Sequence, residues 1–246
     1  MTRCKCLLLT LFFLLPQLTQ AGWQDYVNDL KDAVKEKTAG TQGASLTDDA
    51  IIEGLKQALS QGVEGSVKQL AQKNAFLKDP SIKITMPKAL KKVDKGLRKI
   101  GQQKLADAFI SSLNNAAEEA VPGTVDILLQ AVKAMTVKDA AGILKGETDA
   151  ATQYFKHNSS PRLRIAIKPV VHKATNSVGV TEAYKAMIGK AGFVAKYLDK
   201  DSLDIDQYIT DKAIDGLFIK IALEEKRIRK DPLARTTDIL KQVFAN

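Results

Sequence analysis

Cysteine is the first scarcity. The chain of 246 residues holds two, Cys4 and Cys6, both ahead of a short apolar run. If that leader is removed, no thiol remains, which excludes structural disulfides, a thiolate nucleophile and a cysteine-based metal site. Histidine is equally scarce, with His157 and His172 alone. With Glu147 or Asp149 they do not reproduce the spacing of a known ligand set, so no metal and no cofactor is expected. A Gly-x-Ser-x-Gly elbow, a phosphate loop, a His-Glu-x-x-His helix motif and a dinucleotide fingerprint are also missing. No catalytic set is therefore legible.

What is present begins with a leader. Arg3 and Lys5 precede the apolar stretch Leu7–Leu15, and Thr19-Gln20-Ala21 offers small residues at the right spacing for cleavage. This is the pattern of a secretory signal peptide over residues 1–21. The apolar stretch is too short for a span, which needs about 20 residues. No cysteine stands at the cleavage point to carry a lipid, so the expectation is a periplasmic protein that is not a lipoprotein. The net charge is +9, and it falls to +7 once Arg3 and Lys5 leave with a leader that contains no acid. Excess positive charge favours anionic partners: anionic lipid, an envelope polymer or an acidic protein. Export argues against nucleic acid. A basic protein with no specific partner is the plainer alternative.

Hydrophobic residues make up 45% of the chain and recur at helical, not alternating, spacing. The expectation is an all-α, single-domain bundle of roughly eight to ten helices ending in a helical hairpin. Residues 22–44 read as an amphipathic helix and a small-residue linker, and residues 45–246 as the helical domain. One short extended segment is allowed near 82–86, where Ile82, Ile84 and Met86 alternate with Lys83 and Thr85. Thr136–Asp139 has capping-box spacing. Thr148 is read as the cap of a helix over Asp149–His157, and Ser159 or Ser160 with Pro161 as the start of another. In the latter, Leu163, Ile167, Val170, Ala174 and Val178 run through Pro169, which predicts a kink.

Three stretches are candidate sites. The helix opened by Pro87 carries Lys88, Lys91, Lys92, Lys95 and Lys99 opposite the seam Leu90, Val93, Leu97 and Ile100. Such a helix can meet an anionic surface, or it can be a solvated face over a core seam. Arg164, Lys168 and His172, with Arg162 beside them, form a basic column that reads as a solvated helix face or, alternatively, as a holder of a phosphate or carboxylate. The third lies at the C-terminal hairpin. The stripe Ile205, Ile209, Ala213, Leu217 and Ile221 continues to position 224 or 225, which places Glu224 or Glu225 at the edge of a buried face. That carboxylate needs a cation, and Arg229 or Arg235 can supply it around the Asp231-Pro232 corner. The favoured reading is a structural ion-pair network. Two carboxylates acting as acid and base are the alternative, although adjacent helical residues point about 100° apart.

Asp149-Ala-Ala-Thr152-x-Tyr154-Phe155, Gly216-Leu-Phe218, Glu224-Glu225, Ile228-Arg229-x-Asp231-Pro232 and Arg235-Thr236-Thr237 together resemble domain-of-unknown-function family 4197. The resemblance covers the chain from about Ser45. It implies an exported, mostly helical bacterial protein and supplies no activity. The absence of a lipid-bearing cysteine departs from members that are lipoproteins. Three functions are open at this level: a non-enzymatic binding or structural protein of the cell envelope, a hydrolase of envelope material using Glu224 or Glu225, and a carrier of a small apolar ligand.

Overall fold

The computed structural model describes residues 48–191 and 204–230, which belong to one unit, Ser45–Asn246. The leader, the 22–44 segment and the second limb of the predicted hairpin, with Asp231 and Arg235, lie outside the described residues. The described fold is all-α. Its helices are α1 (Asp48–Leu70), α2 (Lys91–Lys99), α3 (Gln103–Ala120), α4 (Val125–Lys133), α5 (Val137–Lys145), α6 (Ala150–Ser177), α7 (Val180–Lys190) and α8 (Ile205–Lys230), with 3-10 turns at Lys88–Leu90 and Val121–Thr124.

Two long helices, α6 and α8, form the most extensive contact, and α3 packs across both of them and against α7. The reason lies in side-chain size. The inward face of α3 is Ala106, Phe109, Leu113, Ala116, Ala117 and Ala120, all fully buried. Its alanines let neighbouring backbones approach, while Phe109 fills the wider gap. On α8 the expected stripe is observed, with Ile209, Ala213, Leu217 and Ile221 buried, Ile214 and Phe218 beside them, and Ile205 at its start only half-buried. The capping box at Thr136 forms in both directions, from Asp139 N to Thr136 Oγ1 and from Thr136 N to Asp139 Oδ2.

The helix α6 corrects the expected break at 159–161. It runs unbroken for 28 residues through Pro161 and Pro169. Each proline removes one amide donor and frees the carbonyl four residues earlier. Those carbonyls belong to His157 and Ile165, both exposed, so water can satisfy them. Ser160 Oγ also donates to Lys156 O at 2.6 Å, covering a carbonyl beside the first gap. Beyond Pro169 the inward position is Val171, which is fully buried, and not Val170.

Residues 71–87 are irregular but not loosely attached. Phe76, Ile82, Ile84 and Met86 are buried and Lys83 and Thr85 exposed, so the expected alternation holds without strand pairing. The segment is gripped from α3. Asn114 Oδ1 accepts from Ile84 N at 2.9 Å and Asn114 Nδ2 donates to Ile84 O at 2.9 Å, so one amide side chain imitates a ladder rung. One turn on, Glu118 accepts from Asn74 N and Phe76 N at 2.9 and 3.1 Å. Burial pushes the Glu118 carboxyl above its ordinary pKa, against the lowering pull of those amides.

Asp79 at the outer bend is held the other way. It pairs with Lys220 of α8 at 2.6 Å and accepts from the amide and hydroxyl of Ser81. Lys220 first and Ser81 second lower its pKa from 3.8 to about 2. A depressed carboxylate stabilises the fold fully above its unfolded pKa, and that contribution is lost as pH falls through the folded one. Lys220→Met is therefore expected to be less stable than wild type at neutral pH, and the gap should narrow as pH drops from 3.8 to about 2. Acid titration of both chains, followed by helical circular dichroism, checks this.

Candidate functional site

The apolar stripe of α8 ends in a charge. One turn past Ile221 stands Glu225, only 7% exposed. A buried carboxylate is costly unless donors surround it, and here five hydrogen bonds do. Glu225 Oε1 accepts from Ala151 N at 2.9 Å and from Arg229 Nε and Nη2 at 3.1 and 2.9 Å. Its Oε2 accepts from Thr152 N at 2.9 Å and Thr152 Oγ1 at 2.8 Å. Ala151 and Thr152 are in the first turn of α6, where helix amides lack internal partners and the helix dipole favours an anion. The cap of α6 is thus supplied by another helix. Thr148, the expected cap, is not the N-cap residue; Asp149 is, and its side chain makes no capping bond.

Arg229 completes the corner. Its side chain is 12% exposed, and Nη2 also donates to Ile143 O at 2.8 Å, near the end of α5. One ion pair therefore joins the end of α5, the start of α6 and the last turns of α8. The motif around Asp149 serves the same junction. Thr152 is a ligand of Glu225, Tyr154 Oη donates to Ala131 O at 3.1 Å on α4, and Asp149 accepts from Gln153 at 2.8 Å.

Glu224 and Glu225 are not brought together as a working pair. Glu224 accepts from Arg227 Nε at 2.9 Å and its Cγ lies against Gly62 of α1, while Glu225 turns to α6. The hollow at the Glu225 corner, between Leu55, Ile143 and Ile228, measures about 20 Å³. That is room for a single water at most. Among the described residues no larger opening lies beside Glu225 for a substrate.

The basic column is occupied internally. Arg164 Nε donates to Asp211 at 2.9 Å, Lys168 Nζ to Asp204 at 2.7 Å, and His172 Nδ1 lies 2.6 Å from Asp206. Arg162 donates to Gln130 at 2.6 Å. The column is one side of a charged ladder between α6 and α8. The Lys168 ammonium, with the amide of Gln207, holds the Asp204 carboxyl below its usual pKa.

The helix at 88–99 differs. Lys88, Lys91, Lys92, Lys95 and Lys99 are all exposed. The acid on this helix, Asp94, is taken by Arg98 at 2.7 Å, and Arg98 also reaches Asp107 at 2.7 Å. Among the described residues none of the five lysines forms an ion pair. The apolar seam beneath them is spent on the core, with Leu90 and Val93 at 0% exposure and Leu97 at 1%. Ile100, expected to complete the seam, is 62% exposed instead, because the helix ends and Gly101 turns the chain at φ +75°.

Sequence reasoning missed Asn114 and Glu118. The available signal was spacing: Ile110, Asn114 and Glu118 form an i, i+4 row beside the apolar stripe of α3, where unpartnered polar groups would be costly. Among the described residues no three His, Cys, Asp or Glu side chains gather as a metal site, and no helix is long and apolar enough to cross a membrane.

Residues 45–245 match the family model described as protein of unknown function (DUF4197), and the chain belongs to that family. No curated protein and no solved structure matches it.

Proposed function

We propose that this member of the DUF4197 family is a non-enzymatic binding protein of the bacterial envelope, docking on anionic lipid surfaces through the lysine face at 88–99. The observation that carries the reading is that Lys88, Lys91, Lys92, Lys95 and Lys99 share one exposed face with no acidic partner among the described residues. The buried seam means that the helix has no apolar face left to insert. Attachment is then peripheral and electrostatic, at about 1 kcal/mol per lysine near an anionic surface. The leader pattern at 1–21 supports the compartment. The closed Glu225 corner supports a non-enzymatic role.

Such attachment is steeply salt-dependent, because exposed charges are screened. The chain beginning at Gly22 is expected to float with vesicles rich in phosphatidylglycerol at low salt. It should be released at high salt and ignore phosphatidylcholine vesicles. Equal binding to both lipids, or binding unmoved by salt, defeats the proposal.

A further inference from the structure

The segment at 81–85 meets α6 and α8 around a cleft of about 340 Å³. That is the lower end of the size range of small-ligand sites. Three lysines line it, each from a different element: Lys83 from the segment, Lys156 from α6 and Lys212 from α8. Asp215 is the acid in the lining, and it is engaged with Lys212 at 3.0 Å. Lys83 and Lys156 have no acidic partner among the described residues. The cleft therefore carries an uncompensated charge of about +2 in low-salt water.

The walls are fixed. Lys83 is presented between Ile82 and Ile84, whose side chains are buried, and the Ile84 backbone is held at both N and O by Asn114. Thr85 O accepts from Tyr208 Oη at 2.9 Å, tying the same stretch to α8. The Lys156 ammonium sits 5.9 Å from the centre of the Phe218 ring. Gly216 puts no side chain on the α8 side of the cleft, and a Cβ there would lie 2.7 Å from Phe76 Cε1, so a larger residue would force a shift. Ile82 and Ile219 supply an apolar patch beside the charges. A neighbouring cleft lined by Lys73, Lys78 and Lys220 beside Asp79 carries the same excess, with Lys220 paired to Asp79 at 2.6 Å, but it lacks the Ile82 and Ile219 patch.

We propose that the Lys83–Lys156–Lys212 cleft binds a phosphomonoester group. Two ammonium groups without an acidic partner match the charge of about −1.5 to −2 on such a group near neutral pH. Ammonium groups bind phosphate as point charges and need no fixed fork geometry. The Ile82 and Ile219 patch suits a short apolar extension of the ester. The site is independent of the lysine face at 88–99, and two sources share its chemistry: a soluble phosphate ester and a lipid headgroup.

The test is an amide NMR titration of the chain beginning at Gly22 at constant ionic strength. The probes are inorganic phosphate, glycerol 3-phosphate and a short-chain soluble phosphatidic acid. Saturable shifts centred on residues 81–85 and 212–219 are expected with phosphate and not with chloride. Tighter saturation by glycerol 3-phosphate supports the site with a soluble source, and tighter saturation by the phosphatidic acid supports it with a lipid source. Lys83→Gln with Lys156→Gln should weaken binding by about tenfold or more while the thermal midpoint stays unchanged, since both side chains are exposed. Charge reversal at Lys91, Lys95 and Lys99 should leave this titration intact, which separates failure of this site from failure of the vesicle reading. No saturable shift with any probe, or shifts indifferent to the double substitution, overturns the proposal.

Discussion

Glu225→Ala is expected to cost about 3–5 kcal/mol of folding stability, the range for breaking a buried ion pair by removing one partner. The carboxylate accepts from two amides, a hydroxyl and a guanidinium, so its removal takes an acceptor from each of them at once. Arg229, whose side chain is 12% exposed with Glu225 in place, would lose both bonds to the carboxylate and keep that from Nη2 to Ile143 O. A buried unpaired donor costs about 1–3 kcal/mol, more when charged. Glu225→Gln tests the charge separately. Its carbonyl oxygen can still accept from one of the α6 amides, but its NH2 group confronts donors, so most of the loss should remain. Urea unfolding followed by circular dichroism reads both, and a loss under about 1 kcal/mol for Glu225→Ala would sink the view of this corner as a structural lock.

Phe76→Ala is expected to be equally severe, at about 3–5 kcal/mol for deleting a buried aromatic side chain. Phe76 is fully buried and lies against Gly216 on α8, while its amide is held by Glu118. It is the anchor of the 71–87 segment. Gly216→Ala should be destabilising from the opposite direction, by about 1–3 kcal/mol of overpacking, because the new methyl would meet the ring at 2.7 Å. Combining the two should cost less than the sum, since the cavity left by Phe76 accepts the methyl. Additive losses would mean that the contact does not govern either substitution.

The fold class and the charged corner were legible to different depths. Helical periodicity reaches the α8 stripe directly, and it places Glu224 or Glu225 at the end of that stripe with Arg229 one turn away. What no local pattern contains is the other half of the corner. Ala151 and Thr152 meet Glu225 across 74 and 73 residues of chain. The same limit applies to the basic column: Arg164, Lys168 and His172 read as a solvated face or an anion site because their acids lie 34 to 47 residues away, on α8 or just before it. The break expected at Pro161 failed for another reason. Local rules price the lost amide bond but not the position of the freed carbonyl, which here faces solvent. The 88–99 helix was the converse case, since its lysines and buried seam both follow from i, i+3 and i, i+4 spacing alone.

These differences sort the cations of this chain into those consumed by the fold and those left exposed. Arg229 caps a junction, the α6 column joins two helices, and the 88–99 lysines face solvent. The most direct measurement compares two charge reversals in one vesicle flotation assay: Lys91, Lys95 and Lys99 to Glu in one chain, Arg164 and Lys168 to Glu in the other. The account predicts that the first abolishes binding to phosphatidylglycerol vesicles, by about a hundredfold, with its thermal midpoint preserved. The second should keep vesicle binding and lose thermal stability. Undiminished binding in the first chain, or loss of binding in a still-folded second chain, would contradict it.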